Sequence, residues 1–241
     1  MGDSIIIPRD YVNSPEDTVL NYFGILREAA NPEEGKYIGC GTIGYATIPY
    51  PFAYNFLSPE YQKRLSYEQY LDMFKNILHI NLIKYKEVPV YDNKEHIVRY
   101  FVEIEAIEGT DKQKGVFAYY YGFVDLIEEN GEYKINNLQF YGENYLCAPY
   151  HGWSYDAEAV VQIEYSSWCS LIKETFQAVQ KDYVKYICFI GTDGYYYCIV
   201  FFQLTNDNDI IIAQFRMAAS GEWKLIQINP EDCIKEYDKN N

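Results

Sequence analysis

Apolar residues first fall into a clear pattern at 15–30. There Val19, Tyr22, Phe23, Leu26 and Ala29 recur at intervals of three and four, the spacing of one helix face. Ser14 stands in front as a cap, Pro15 suits the first turn, and Glu16 and Asp17 complement the helix dipole. Asn31-Pro32 and Gly35 end the element. Residues 36–53 are rich in Gly, Pro and Tyr and show no period. Ser58-Pro59-Glu60 is a second cap, and Ser66 with Gln69 has capping-box spacing. Leu71, Met73, Phe74, Ile77 and Leu78 continue the helical spacing, so a helical pair is predicted over about 59–78.

Beyond Leu78 the period shortens to two. Strands are predicted at 80–89, 96–107, 115–127 and 132–141, separated by Tyr91 to Lys94, Gly109 to Lys114 and Asn130-Gly131. These separators have hairpin chemistry, and short links between neighbouring strands imply an antiparallel meander. In the second strand Val98, Tyr100, Val102, Ile104 and Ala106 share one face; Arg99, Glu103 and Glu105 share the other. The strand 116–124 is apolar on both faces, as a central strand would be.

Residues 147–154 read as a linker. Ser154 is the expected cap of a long helix over about 156–180, its face formed by Val161, Trp168, Leu171, Ile172, Phe176 and Val179. A second meander follows near 183–190, 195–204, 210–217 and 222–229. The loop Thr192-Asp193-Gly194 suits a three-residue hairpin with glycine in the left-handed position. That register sets Cys188 directly opposite Cys198. Such a pair is either a disulfide or two packed thiols, and thiols are favoured because disulfide geometry is restrictive. Gly131-Glu132-Tyr133-Lys134-Ile135 recurs as Gly221-Glu222-Trp223-Lys224-Leu225, each opening the last strand of a meander. The equivalent placement points to a tandem duplication.

Composition narrows the function classes. The chain has 241 residues, is 49% hydrophobic, carries 27 tyrosines and has a net charge of −15. The apolar share suffices for a folded core, and the acidity argues against binding nucleic acid, whose phosphates need clustered Lys and Arg. No apolar run reaches the length of a membrane-spanning helix, and the amino terminus lacks the features of a signal peptide. An extracytoplasmic protein without its leader has the same pattern, and that location is slightly favoured over the cytoplasm. Six cysteines, at 40, 147, 169, 188, 198 and 233, include no Cys-x-x-Cys. Cys169, beside Trp168, is expected to be packing.

The stretch Ala53-Tyr54-Asn55-Phe56-Leu57-Ser58-Pro59-Glu60-Tyr61-Gln62-Lys63-Arg64-Leu65-Ser66-Tyr67-Glu68-Gln69-Tyr70 resembles the helical segment of bacterial proteins in the nuclear transport factor 2-like superfamily. The helix opened by Ser14 to Asp17 and the Gly131 to Ile135 strand are similar too. The resemblance covers about 14–145. It implies helices packed on a curved antiparallel sheet, forming a cone around a central pocket. Members often dimerise sheet to sheet, so a tandem chain can pair internally as a pseudo-dimer or form a homodimer. The family includes isomerases, dehydratases and hydrolases that use a pocket Asp, His or Tyr, beside members with no known activity. No family catalytic motif stands in this chain, so no residue inherits a role.

Individual candidates weaken on inspection. His79 is expected at a helix terminus and His96 in a solvated turn. His151 follows Cys147 by four residues, but nucleophilic catalysis needs contact and a third orienting group. Three scattered histidines suggest no metal site. Glu103 and Glu105 share a strand face about 7 Å apart, a spacing paired carboxylates use in glycosidases. Arg99 lies on the same face, so a solvated outer surface is expected. Asp125 is the best single candidate for a buried acid, although its place near a strand end favours exposure.

The resulting expectation is an α+β protein of two tandem units with helices on antiparallel meander sheets. These are a nuclear transport factor 2-like cone over 1–146, a linker at 147–154, and a smaller helix-plus-meander unit over 155–241. The expected function is a non-catalytic binding or protein-interaction module, cell-surface or secreted, for an unidentified protein or small molecule, with no cofactor. The alternative is a small-molecule enzyme of isomerase, dehydratase or hydrolase type using the first pocket.

Overall fold

The computed structural model describes residues 6–33, 46–91, 96–112 and 114–239. Cys40 and the turn residues 92–95 lie outside these, as does most of the unassigned 36–53 segment. The chain divides after Asn144 into two units. Both are helices on antiparallel sheets, an α+β arrangement.

In the first unit α1 (Pro15–Arg27) begins at Ser14, whose Oγ accepts from the Asp17 amide at 3.1 Å. Its apolar stripe, Val19, Tyr22, Phe23 and Leu26, is buried. Three one-to-two-turn helices follow: α2 (Pro49–Tyr54), α3 (Pro59–Arg64) and α4 (Tyr67–Asp72). Ser58 caps α3, and Ser66 and Gln69 close a capping box at α4. The predicted helical pair thus stops at 72 rather than 78. Asn76, at φ 66° with its side chain bonded to the Gly109 carbonyl at 2.6 Å, reverses the chain, so Ile77 and Leu78 already belong to the first strand.

Strands β1 (Ile77–Val88), β2 (Ile97–Gly109), β3 (Gly115–Glu129) and β4 (Glu132–Gly142) form an antiparallel sheet in sequence order. Asn130 and Gly131 both have positive φ, which the tight β3–β4 turn requires. Bulges interrupt β1 near Ile83 and the β3–β4 pairing at Asp125/Leu126, and bulges bend strands. Gly122 allows β3 and β4 to approach, because a Cβ there would collide with the Gln139 carbonyl. One sheet face packs Tyr100, Val102, Ile104, Val124 and Leu126 against α1, α2 and the following helices. That burial, at roughly 25 cal/mol per Å² of apolar surface, is what stabilises this layer.

The second unit departs from expectation at its start. Its helix is capped by Asp156, not Ser154: Asp156 Oδ1 accepts from the Ala159 amide at 2.8 Å. Helix α5 (Ala157–Val160) passes into a π-helix over Val161–Trp168. Helical structure ends there, short of the predicted 180. Ser170 adopts φ 49°, and the chain returns as β5 (Ile172–Thr175) and β6 (Val179–Lys181), both paired with β7 (Val184–Gly191). Leu171 and Ile172 still pack on the core, but from outside the helix. Val179 is 60% exposed; an open edge of β7 recruited this segment despite its helical spacing.

The sheet continues through β8 (Tyr196–Gln203), β9 (Asp209–Met217) and β10 (Trp223–Leu225), and α6 (Pro230–Lys239) closes the chain. The β7–β8 register is the one the loop length predicts, with Cys188 facing Cys198 and Gly194 at φ 85°. The favoured thiol reading is overturned, since these two residues form a disulfide, their Cα atoms 4.0 Å apart. Cys169 is likewise not a packing thiol: it is disulfide-bonded to Cys233 of α6, with Cα atoms 5.0 Å apart.

Candidate functional site

The first unit contains a cavity of about 150 Å³ between α1, the turn after α4 and the helix-covered sheet face. Helix α1 supplies Tyr22, Phe23 and Leu26; the turn supplies Met73, Phe74 and Ile77. Ile80, Ile104, Ala106, Tyr120 and Phe140 come from the four strands. These positions converge because Ile80, Ala106 and Ala118 are register partners, as are Leu82, Ile104 and Tyr120. Met73 is 44% exposed and marks an opening.

Polarity on the wall comes from the phenols of Tyr22 and Tyr120, and Tyr22 is backed by Tyr70 behind the lining. Tyr22 and Tyr70 hydroxyls lie 3.1 Å apart in the core. Burial raises the pKa of both, and their mutual proximity raises that of Tyr70 further. Tyr120 donates to Glu108; burial first, then that carboxylate, pushes its pKa up to about 12. All three remain protonated near neutrality. They can donate hydrogen bonds but cannot act as bases. Among the described residues no carboxylate or imidazole lines the cavity.

The other sheet face corrects the expectation of a solvated surface. Glu103 is fully buried, with Lys84 Nζ at 3.1 Å, and Asp125 is 5% exposed. Arg99 grips Asp125 with two bonds, 2.6 and 3.0 Å, and lies over the Phe123 ring. Phe101 stacks on Tyr121, and Tyr121 meets Tyr141. Aromatic rings interleave with the charges along this face, and alternation of charge alone did not reveal it. Glu103 and Glu105 do not form a working pair either, since Tyr119 donates to Glu105 at 2.9 Å.

The acid that joins Glu103 is Glu143, which the sequence reading passed over. It follows β4, and its amide donates to the Tyr119 carbonyl at 2.7 Å. Residues 139, 141 and 143 alternate onto the Glu103 face, and that continuation was the readable signal. Burial, then the Glu103 charge and a Glu103 hydrogen bond, push the Glu143 pKa from 4.5 to about 8, with Lys84 opposing.

The remaining candidates are dispersed. His79 is half-buried within β1 rather than at a helix end, and His96 is exposed just before β2. His151 Nδ1 lies 2.8 Å from the Asn208 side-chain oxygen and its ring rests on Tyr155, while Cys147 is an exposed free thiol. The imidazole is thus oriented by an amide and a ring. In the second unit the carboxylates of Asp156, Glu158 and Asp209 gather within 4.8 Å. Lys185 Nζ is 2.7 Å from Asp209, which also accepts from the Ala157 amide at 3.0 Å. An ammonium already neutralises the buried member, and the trio ties a helix start to the sheet.

No family model matches the chain, and no curated protein matches it. A solved structure described as "Ntf2 like protein involved in plasmid conjugation" is similar over 74% of this chain and 95% of that one, with 11% identity and a TM-score of 0.24.

Proposed function

We propose that the chain is a non-catalytic binding module acting outside the cytoplasm, and that its first unit is a nuclear transport factor 2-like cone. In this reading the cavity receives a small apolar group, either a free molecule or the end of a larger ligand. The supporting observation is the wall, apolar apart from phenols that keep their protons. A cavity near 150 Å³ suits a guest about the size of benzene, well below the several hundred Å³ of sites for drug-sized ligands. An isomerase, dehydratase or hydrolase needs a base within reach of its substrate, and the wall presents none among the described residues. Two disulfides in the second unit favour an oxidising compartment.

Methyl-detected NMR with benzene as the probe tests the reading. Methyl signals of Leu26, Ile77 and Ile104 should shift saturably with added benzene. Ala106→Leu, which fills the cavity, should abolish the response. Shifts confined to surface methyls, or shifts that persist in the filled variant, refute the cavity as the site.

A further inference from the structure

We propose that Glu103 and Glu143 form a proton-sharing latch that holds the chain leaving β4 against the sheet and lets it go on deprotonation. The inference rests first on geometry. Both carboxylate oxygens of Glu143 are buried and, among the described residues, accept no hydrogen bond from an amide, hydroxyl or ammonium group. The fully buried Glu103 shares their face: Glu103 pairs with Tyr121, Tyr121 with Tyr141, and Glu143 stands two residues further on. After burial itself, the charge and hydrogen bonding of Glu103 help to raise the Glu143 pKa. Two carboxyls can be hydrogen-bonded to each other only while one carries a proton, because two buried negative charges side by side repel. Lys84, 3.1 Å from Glu103, acts on both carboxyls and does not cancel burial and the repulsion between them.

The groups facing the pair can be named from the register. Strand β1 brings Lys84 and, beside Phe101, Lys86. Strand β2 brings Glu105, which is held by Tyr119 of β3. Tyr121 and Tyr141 face the pair from β3 and β4. Lys84 is the cation that opposes protonation of Glu143, and it does not outweigh burial and Glu103. The latch acts at a junction, since Glu143 lies between the last residue of β4 and Tyr145, where the second unit begins.

The direction with pH follows from linkage. A carboxyl whose pKa is higher when latched stabilises the latch below its ordinary value, and that contribution fades as pH rises through the latched value. Between 4.5 and about 8 each pH unit can therefore favour opening by up to about tenfold, after which the effect levels off.

Hydrogen exchange on the full chain reads this directly. The protection factor of the Glu143 amide, which donates to the Tyr119 carbonyl, corrected for intrinsic exchange, should fall by at least tenfold between pH 5.5 and 8.5. Glu143→Gln, which supplies a permanent donor, should show flat protection. A flat wild-type profile, or a parallel fall in the variant, overturns the latch. Carbon-13 titration of the wild-type Glu143 carboxyl gives an answer that needs no variant. A midpoint well above the usual glutamate range supports the latch, and a midpoint near 4.3 overturns it.

Discussion

The two faces of the first sheet are buried by opposite means. On the helix side Tyr100, Val102, Val124 and Leu126 join an apolar and aromatic cluster with α1 and its neighbours. On the other side Phe101 is buried as deeply, but its neighbours along β2 are Arg99 and Glu103. The first face gains free energy from each methylene it buries. The second must match each charge with a partner, because an ion left alone in a low-dielectric setting costs several kcal/mol. Burial is therefore additive on one face and conditional on pairing on the other.

The largest expected difference between the faces comes from single deletions. Leu126→Ala should destabilise the first unit by about 2–5 kcal/mol, through lost transfer energy and a residual cavity. Urea unfolding followed by a probe in that unit measures it, and a loss below 1 kcal/mol would show that the face is not tightly packed. Arg99→Met should cost roughly 3 kcal/mol by stranding Asp125, somewhat less than a fully buried pair because Arg99 is partly exposed. The double change Arg99→Met with Asp125→Leu should recover most of that loss. If the double variant is worse than the single one, pairing is not what decides stability on this face.

A smaller effect separates the faces by pH. Tyr70→Phe leaves the buried Tyr22 hydroxyl without its partner and should cost about 1–2 kcal/mol at neutral pH. The raised pKa values of Tyr22 and Tyr70 stabilise the fold at pH values below about 10 and lose that contribution as pH rises further. Spectrophotometric titration should show these phenols ionising only as the unit unfolds. The charged face should instead lose stability from pH 4.5 upward through Glu143, so the two faces respond in separate pH windows.

Much of this architecture was legible in the sequence. Ser14, Ser58 and Ser66 announced three helix starts, Asn130-Gly131 a tight turn, and Thr192-Asp193-Gly194 the register that opposes Cys188 and Cys198. Each depends on residues a few positions apart, whose hydrogen bonds and φ values are dictated locally. The segment 172–181 misled because Ile172, Phe176 and Val179 satisfy a helical spacing, yet Ile172 and Val179 pair with β7 and the Phe176 amide donates to the Cys188 carbonyl. Periodicity says that a side chain prefers burial but not which neighbour provides it. Helix α6 carried a weak signal in Pro230 and the acids behind it, and its disulfide partner Cys169 lies 64 residues away.

The candidate sites were far less legible than the fold. The cavity exists where α1, a turn and four strands fail to fill a shared volume, a property of packing that no single residue carries. Glu103 looked like a surface acid because charged residues alternate along its strand. Only the registers that bring Lys84 and Tyr121 beside it, and the continuation of β4 to a buried Glu143, reveal that it has left water.

By itself, then, the amino-acid order determined the α+β class, the helix starts at Ser14, Ser58 and Ser66 and the register of the β7–β8 hairpin, since these rest on short-range sterics and hydrogen bonding. Tertiary structure alone decided which polar groups leave water, that Cys169 meets Cys233 and where a cavity remains. Desolvation and the Cys169–Cys233 bond depend on distances between residues that the chain itself keeps far apart.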